Sequence, residues 1–180
     1  PQGSGVDTAA GIFSRAAATA GYYVYGQREY YSNIMGRHSY FDVRVGPTPL
    51  SCHRDTIDLL LTFETETLTR HAISVVAGGG IIYNVDDADV PLGRVTFLDD
   101  RAADDLRAYL AERGLPASTA GILADARQRG VHTFAISYDE ITNALAKKLG
   151  VPKANADRTL NTIAVAASFA LLGQRPDFLI

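Results

Sequence analysis

The chain has 180 residues, 47% hydrophobic and 21% charged, enough apolar material for one filled core, which predicts a single domain over residues 1–180. A net charge of −3 gives no overall pull toward nucleic acid or an anionic membrane, so any basic site has to be local. One cysteine, Cys52, excludes an internal disulfide and an iron–sulfur cluster held by this chain alone; with no apolar run of about eighteen residues and no secretory leader, a soluble cytoplasmic protein is expected.

Pro1-Gln2-Gly3-Ser4-Gly5 opens the chain in the middle of a glycine turn, and both this start and the end after Arg175-Pro176-Asp177 read as cuts in a longer polypeptide. Over residues 6–20 the apolar positions Val6, Ala9, Ala10, Phe13, Ala17 and Ala20 recur at three and four, which predicts a helix stopped by Gly21. A short strand follows at 22–25, then a polar loop over 26–39, then a strand at 40–45 in which Phe41, Val43 and Val45 alternate with Asp42 and Arg44. The run over 56–63 carries Ile57, Leu59, Leu60 and Leu61 almost unbroken, as a central strand covered on both faces would. A short helix is expected at 64–71, a glycine lead-in at 78–80, and strands at 81–84 and 95–98.

Asp99 or Asp100 can cap a helix over 101–113, and a second helix over 120–129 ends at Gly130. A strand at 131–136 is followed by Ser137 and, three further on, Glu140, a capping box for a helix that buries Ile141, Leu145 and Leu149. The last helix, 157–172, buries Leu160, Ile163, Ala164, Ala167 and Leu171. Strands alternating with helices predict an α/β fold: a three-layer α/β/α sandwich with a mostly parallel or mixed sheet and a Rossmann-like glycine turn at its start.

The chemistry-bearing stretch is 25–45. Six of the nine tyrosines lie between Tyr22 and Tyr40, interleaved with Arg28, Arg37, His38 and several amides, a composition suited to holding a ligand or a partner subunit. Gly3, Ser4 and Gly5 ahead of a helix have the form of an anion cradle, in which glycines admit the ligand and free backbone amides meet it. A tight structural turn and a nicotinamide site are the alternatives for the same residues, although Tyr25-Gly26-Gln27-Arg28 stands where a ribose-binding carboxylate would. Arg28 and Arg37 suit phosphate or carboxylate oxygens, with Tyr30 or Tyr31 to stack on a ring, or Arg28 pairs with a carboxylate of its own protein. His38-Ser39 is no base–nucleophile pair, since neighbours on an extended chain point apart, and Cys52-His53 lacks further metal ligands. Glu64, Glu66, Asp86, Asp87 and Asp89 read as solvated charges.

Gly3-Ser4-Gly5-Val6-Asp7-Thr8-Ala9-Ala10, the run GYYVYGQREYYSNIMGRHSYFDVRV from Gly21, Ser51 with Thr56-Ile57-Asp58-Leu59-Leu60, Tyr138-Asp139-Glu140-Ile141, Val151-Pro152 and the 161–173 helix together resemble the gamma-type domain of 2-oxoacid:ferredoxin (acceptor) oxidoreductases. The fused form, where this domain opens the large subunit, is the nearer likeness. It covers almost the whole chain, and Arg28 to Ile34 with Gly36 to Tyr40 is its most specific part. The resemblance implies a complex that uses thiamine diphosphate, Mg2+ and an iron–sulfur cluster to oxidise a 2-oxoacid such as pyruvate or 2-oxoglutarate, passes electrons to ferredoxin and delivers the acyl group to coenzyme A. It implies an alpha-type domain, in the same polypeptide, and a beta subunit as partners, with no such cofactor held by this chain. Gly3, Ser4, Gly5, Arg28, Tyr30, Tyr31, Arg37 and His38 would then serve coenzyme A access, with no catalytic residue here. A pure subunit-docking domain and an independent nucleotide-binding domain are the alternatives.

Overall fold

A computed structural model describes residues 5–30 and 38–174 of the protein. In chain order its elements are α1 (Val6–Thr19), β1 (Tyr23–Tyr30), β2 (Ser39–Gly46), β3 (Ile57–Leu61), α2 (Thr65–His71), β4 (Val75–Asn84), α3 (Asp100–Ala111), α4 (Thr119–Gln128), β5 (His132–Ile136), α5 (Tyr138–Leu149), α6 (Lys153–Asp157) and α7 (Leu160–Leu171). The fold is α/β, with one parallel sheet ordered β3-β4-β5 and one antiparallel pair, β1-β2. Two compact units emerge: Asp55–Tyr138, and Pro1–Arg54 taken with Asp139–Ile180.

The first of these units is built on the parallel sheet. Its middle strand is β4, whose Ile81 and Ile82 are fully buried, whereas β3 pairs with β4 alone among the described residues and is mostly half-buried. The expectation that the leucine-rich strand lies at the centre is therefore corrected. Its apolar run marks a strand with one partner strand and packed helices, which periodicity does not distinguish from a central one. The glycines expected to lead into β4 lie inside it. Gly78 has φ +80, and a Cβ at Gly79 would stand 2.7 Å from the Asp58 carbonyl oxygen, so glycine lets the two strands approach at a register shift between Ile57 and Leu59.

Leu68, Val75, Ile81, Leu110, Ile122 and Leu123 lead the core that the sheet and helices enclose. Asp125 of α4 bolts it down. Its buried carboxylate accepts from Tyr109 Oη at 3.1 Å and Arg129 Nε at 2.8 Å, while Arg129 also donates to the carbonyls of Val75 at 2.7 Å and Ala72 at 2.9 Å. Glu66, expected in solvent, is buried and pairs with Arg70 at 2.9 Å. Asp87 accepts from Thr65, and burial pushes its carboxyl above the usual range. The strand expected at 95–98 is replaced by a turn containing Phe97 at φ +64, a left-handed conformation that ends extended pairing.

In the other unit α1 packs on the β1-β2 hairpin and on α7, burying Ala9, Ala10, Ala16 and Ala17, with Phe13 and Phe169 edge to face at 5.2 Å. Small side chains let the layers meet closely. The final helix buries Ala164, Val165, Ser168 and Phe169, and Leu171 is exposed, a correction to the expected stripe. α5 departs further. Ile141 is 41% and Leu149 61% exposed, while Leu145 is half-buried and Thr142 fully buried, so both ends of the expected apolar line face outward. Among the described residues no helix is long and apolar enough to cross a membrane.

Candidate functional site

The polar stretch folds as a hairpin. The short strand expected at 22–25 is longer than expected: β1 runs through to Tyr30, into the range read as loop, and each of its residues from Tyr23 pairs with one between Gly46 and Ser39 of β2, while residues 31–37 of the expected 26–39 loop lie outside the described residues. β2 is half-buried over most of its length instead of alternating cleanly. Gln27 Nε2 donates to Glu29 Oε1 at 2.5 Å along one face. Asp42, opposite Gln27, has its carboxyl raised by burial and by Glu29, against the lowering influence of His53.

Arg28 points to the other face, where α1 begins. Its Nη2 lies 2.7 Å from Oδ2 of Asp7 in the first turn of α1, with 36% of the arginine side chain and 51% of the aspartate side chain exposed. Gly5 is the N-cap residue, at φ +83, and brings no side-chain cap. The left-handed backbone favours glycine here, and a Cβ would stand 1.8 Å from Nδ2 of Asn161 of α7, whose amide would have to move aside. Glycine turn, first helix and hairpin arginine therefore meet at one place.

Of the other predicted residues, His38 is buried at 5% exposure, with its ring 5.4 Å from that of Tyr40. Tyr30 closes β1 against Ser39. Gly3, Ser4, Tyr31 and Arg37 lie outside the described residues. Asp7 and Asn161 were not singled out by the sequence, although an acidic residue in a first helical turn beside a basic strand was a usable signal. Among the described residues no three His, Cys, Asp or Glu side chains group closely enough for a metal, and Cys52 is an exposed thiol whose carbonyl accepts from Arg44 Nη1 at 2.9 Å. A single thiolate cannot ligate an iron–sulfur cluster, so these residues do not fit one.

Fold and site together define an α/β chain whose basic contact lies at the head of its first helix. The sequence profile described as pyruvate ferredoxin/flavodoxin oxidoreductase matches residues 1–179, and the chain belongs to that family. It is similar to 2-oxoacid:ferredoxin oxidoreductase 1, subunit alpha, of Sulfurisphaera tokodaii, with 36% identity over 99% of this chain and 28% of the relative. The alpha subunit of the 2-oxoacid:ferredoxin oxidoreductase of Saccharolobus solfataricus is 37% identical over the same shares, and subunit alpha of enzyme 2 of Aeropyrum pernix is 28% identical over 96% and 27%. The chain thus spans under a third of the length of these relatives, all named alpha.

Proposed function

We propose that residues 1–180 form one gamma-type domain of a cytoplasmic 2-oxoacid:ferredoxin oxidoreductase, fused ahead of an alpha-type domain and assembled with a beta subunit. The complex converts a 2-oxoacid such as pyruvate or 2-oxoglutarate to acyl-coenzyme A and reduces ferredoxin. Thiamine diphosphate with Mg2+, and the iron–sulfur cluster, supply decarboxylation and electron transfer in other parts of the complex. This chain aids coenzyme A access and assembly. The names of the relatives and the 28% share support its being one part of a larger machine.

The observation that carries the reading is Arg28 at the first turn of α1, a partly exposed guanidinium fork 2.7 Å from Asp7 that suits phosphate oxygens. In the same stretch of sequence Arg37 suits the phosphates as Arg28 does, and Tyr30 or Tyr31 suits the adenine or the pantetheine arm. The outward apolar line of α5 favours an assembly role beside the ligand role, because an amphipathic helix stabilises a fold through that face only when something covers it.

The test is kinetic, on the assembled enzyme. Arg28→Ala with Arg37→Ala raises the coenzyme A KM about tenfold or more, as expected for loss of charge-assisted phosphate contacts, and leaves the 2-oxoacid KM in place. An unaltered coenzyme A KM in a complex of normal size removes the ligand role and leaves docking alone.

A further inference from the structure

We infer that the carboxyl edge of the parallel sheet is a divalent-cation site, held by Asp86, Asp87 and the amide oxygen of Asn84. It lies within the unit Asp55–Tyr138 and is independent of the coenzyme A reading. Parallel strands bring their carboxyl ends to one edge, where open α/β sheets bind their ligands, and all three strands contribute here. β3 leads to Thr65, β4 ends on Asn84 and turns through Asp86 and Asp87, and β5, whose Ile136 lies beside Asn84, leads to Tyr138. Thr65 Oγ1 donates to Asp87 Oδ1 and fixes that carboxylate, and Asn84 Nδ2 lies 3.4 Å from Asp86 Oδ2.

Acceptors outnumber donors at this edge. Oδ1 of Asn84 is buried with no hydrogen-bond partner, and so is the hydroxyl of Tyr138, a residue only 7% exposed. Among the described residues no Lys, Arg or His pairs with Asp86 or Asp87, although Asp87 is half-buried. The groups act on one another: burial and then the Asp86 charge raise the Asp87 carboxyl against the Thr65 hydrogen bond, and burial and then the Asp87 charge raise Tyr138. Two neighbouring carboxylates and an unmet amide oxygen call for positive charge, which buried acids find in an ion pair or a metal. The donors are all oxygen, the set that hard cations take, and two carboxylates with one amide suit a Mg2+ or Ca2+ ion that keeps several waters. The amide takes the place of a third acid. Tyr138 holds one of those waters, and Thr65 orients Asp87 from behind.

The test counts ions. The assembled enzyme is stripped with a chelator and titrated with Mn2+, and bound Mn2+ is followed by electron paramagnetic resonance. The parent is expected to bind one more Mn2+ per copy of this chain than Asp87→Asn does, and Mg2+ or Ca2+ should displace that ion. An ion bound with thiamine diphosphate elsewhere in the complex cancels in the comparison. Asp86→Asn, at an exposed side chain, and Tyr138→Phe should each weaken the extra ion about tenfold or more, as loss of a ligand or of its outer partner does. Should Asp87→Asn fail to assemble, Asp86→Asn carries the same comparison. Equal counts and equal affinities in the parent and the variants overturn the inference, as does displacement by ammonium or K+ but not by Mg2+ or Ca2+.

Discussion

Removal of the Asp125 carboxylate is the sharpest test of how the parallel-sheet unit is held. Its side chain is 3% exposed and receives Tyr109 Oη, Arg129 Nε and, at 3.4 Å, Arg113 Nε. Asp125→Ala strands a guanidinium whose other donors remain committed to the carbonyls of Ala72 and Val75, so Arg129 cannot swing freely into water. Breaking one side of a buried ion pair costs about 3–5 kcal/mol, and the 28% exposure of Arg129 places this case near the lower figure, about 3 kcal/mol. For a chain of this size that corresponds to a loss of about 6–12 °C in Tm. Asp125→Asn keeps an acceptor for Tyr109 and removes the charge, with an expected cost of about 1–2 kcal/mol. Denaturant titration followed by circular dichroism checks both values. A loss below about 0.5 kcal/mol for Asp125→Ala would refute the argument that this network is a buried bolt.

His71 gives a pH signature: burial, and then the neighbouring Arg70 charge, lower its pKa from 6.5 to about 4. The unfolded chain therefore takes up the proton first as pH falls, so the contribution is full above 6.5, shrinks toward 4, and is gone below it. Unfolding free energy should rise by up to about 3 kcal/mol across that window, and His71→Gln should flatten the slope by the same amount in denaturant melts at a series of pH values. On α5, Ile141→Lys with Leu149→Glu should leave the Tm of the isolated chain within about 1 °C, because both side chains already face solvent, while size-exclusion chromatography shows the complex falling apart. An intact complex would remove α5 from the docking surface.

The helices were legible because their signals are local: Asp99 caps α3 through the amide of Ala102, and glycines at 114, 130 and 150 end helices with φ of +65, +82 and +65. What depended on partners was not. The strand pair hid behind its polar residues because pairing between Arg28 and Phe41, or Gln27 and Asp42, is a relation between two strands and leaves no periodic trace. The 78–80 glycines read as a break, when their missing side chains let β4 approach Asp58 of β3. α5 has sound amphipathic spacing, yet periodicity fixes only that one face is apolar, and Thr142 faces inward in place of Ile141. At the site the sequence supplied Gly5 and Arg28 as separate features; their meeting through Asp7 and Asn161 depends on tertiary placement of α1 against β1 and α7.

Hydrogen exchange on the assembled enzyme, with and without coenzyme A, reads the central claim where it is made. Added coenzyme A should slow exchange in peptides covering the start of α1 and the 25–37 stretch, and Arg28→Ala should abolish that protection. Equal exchange in those peptides at saturating coenzyme A, with protection confined to other parts of the complex, would contradict the account.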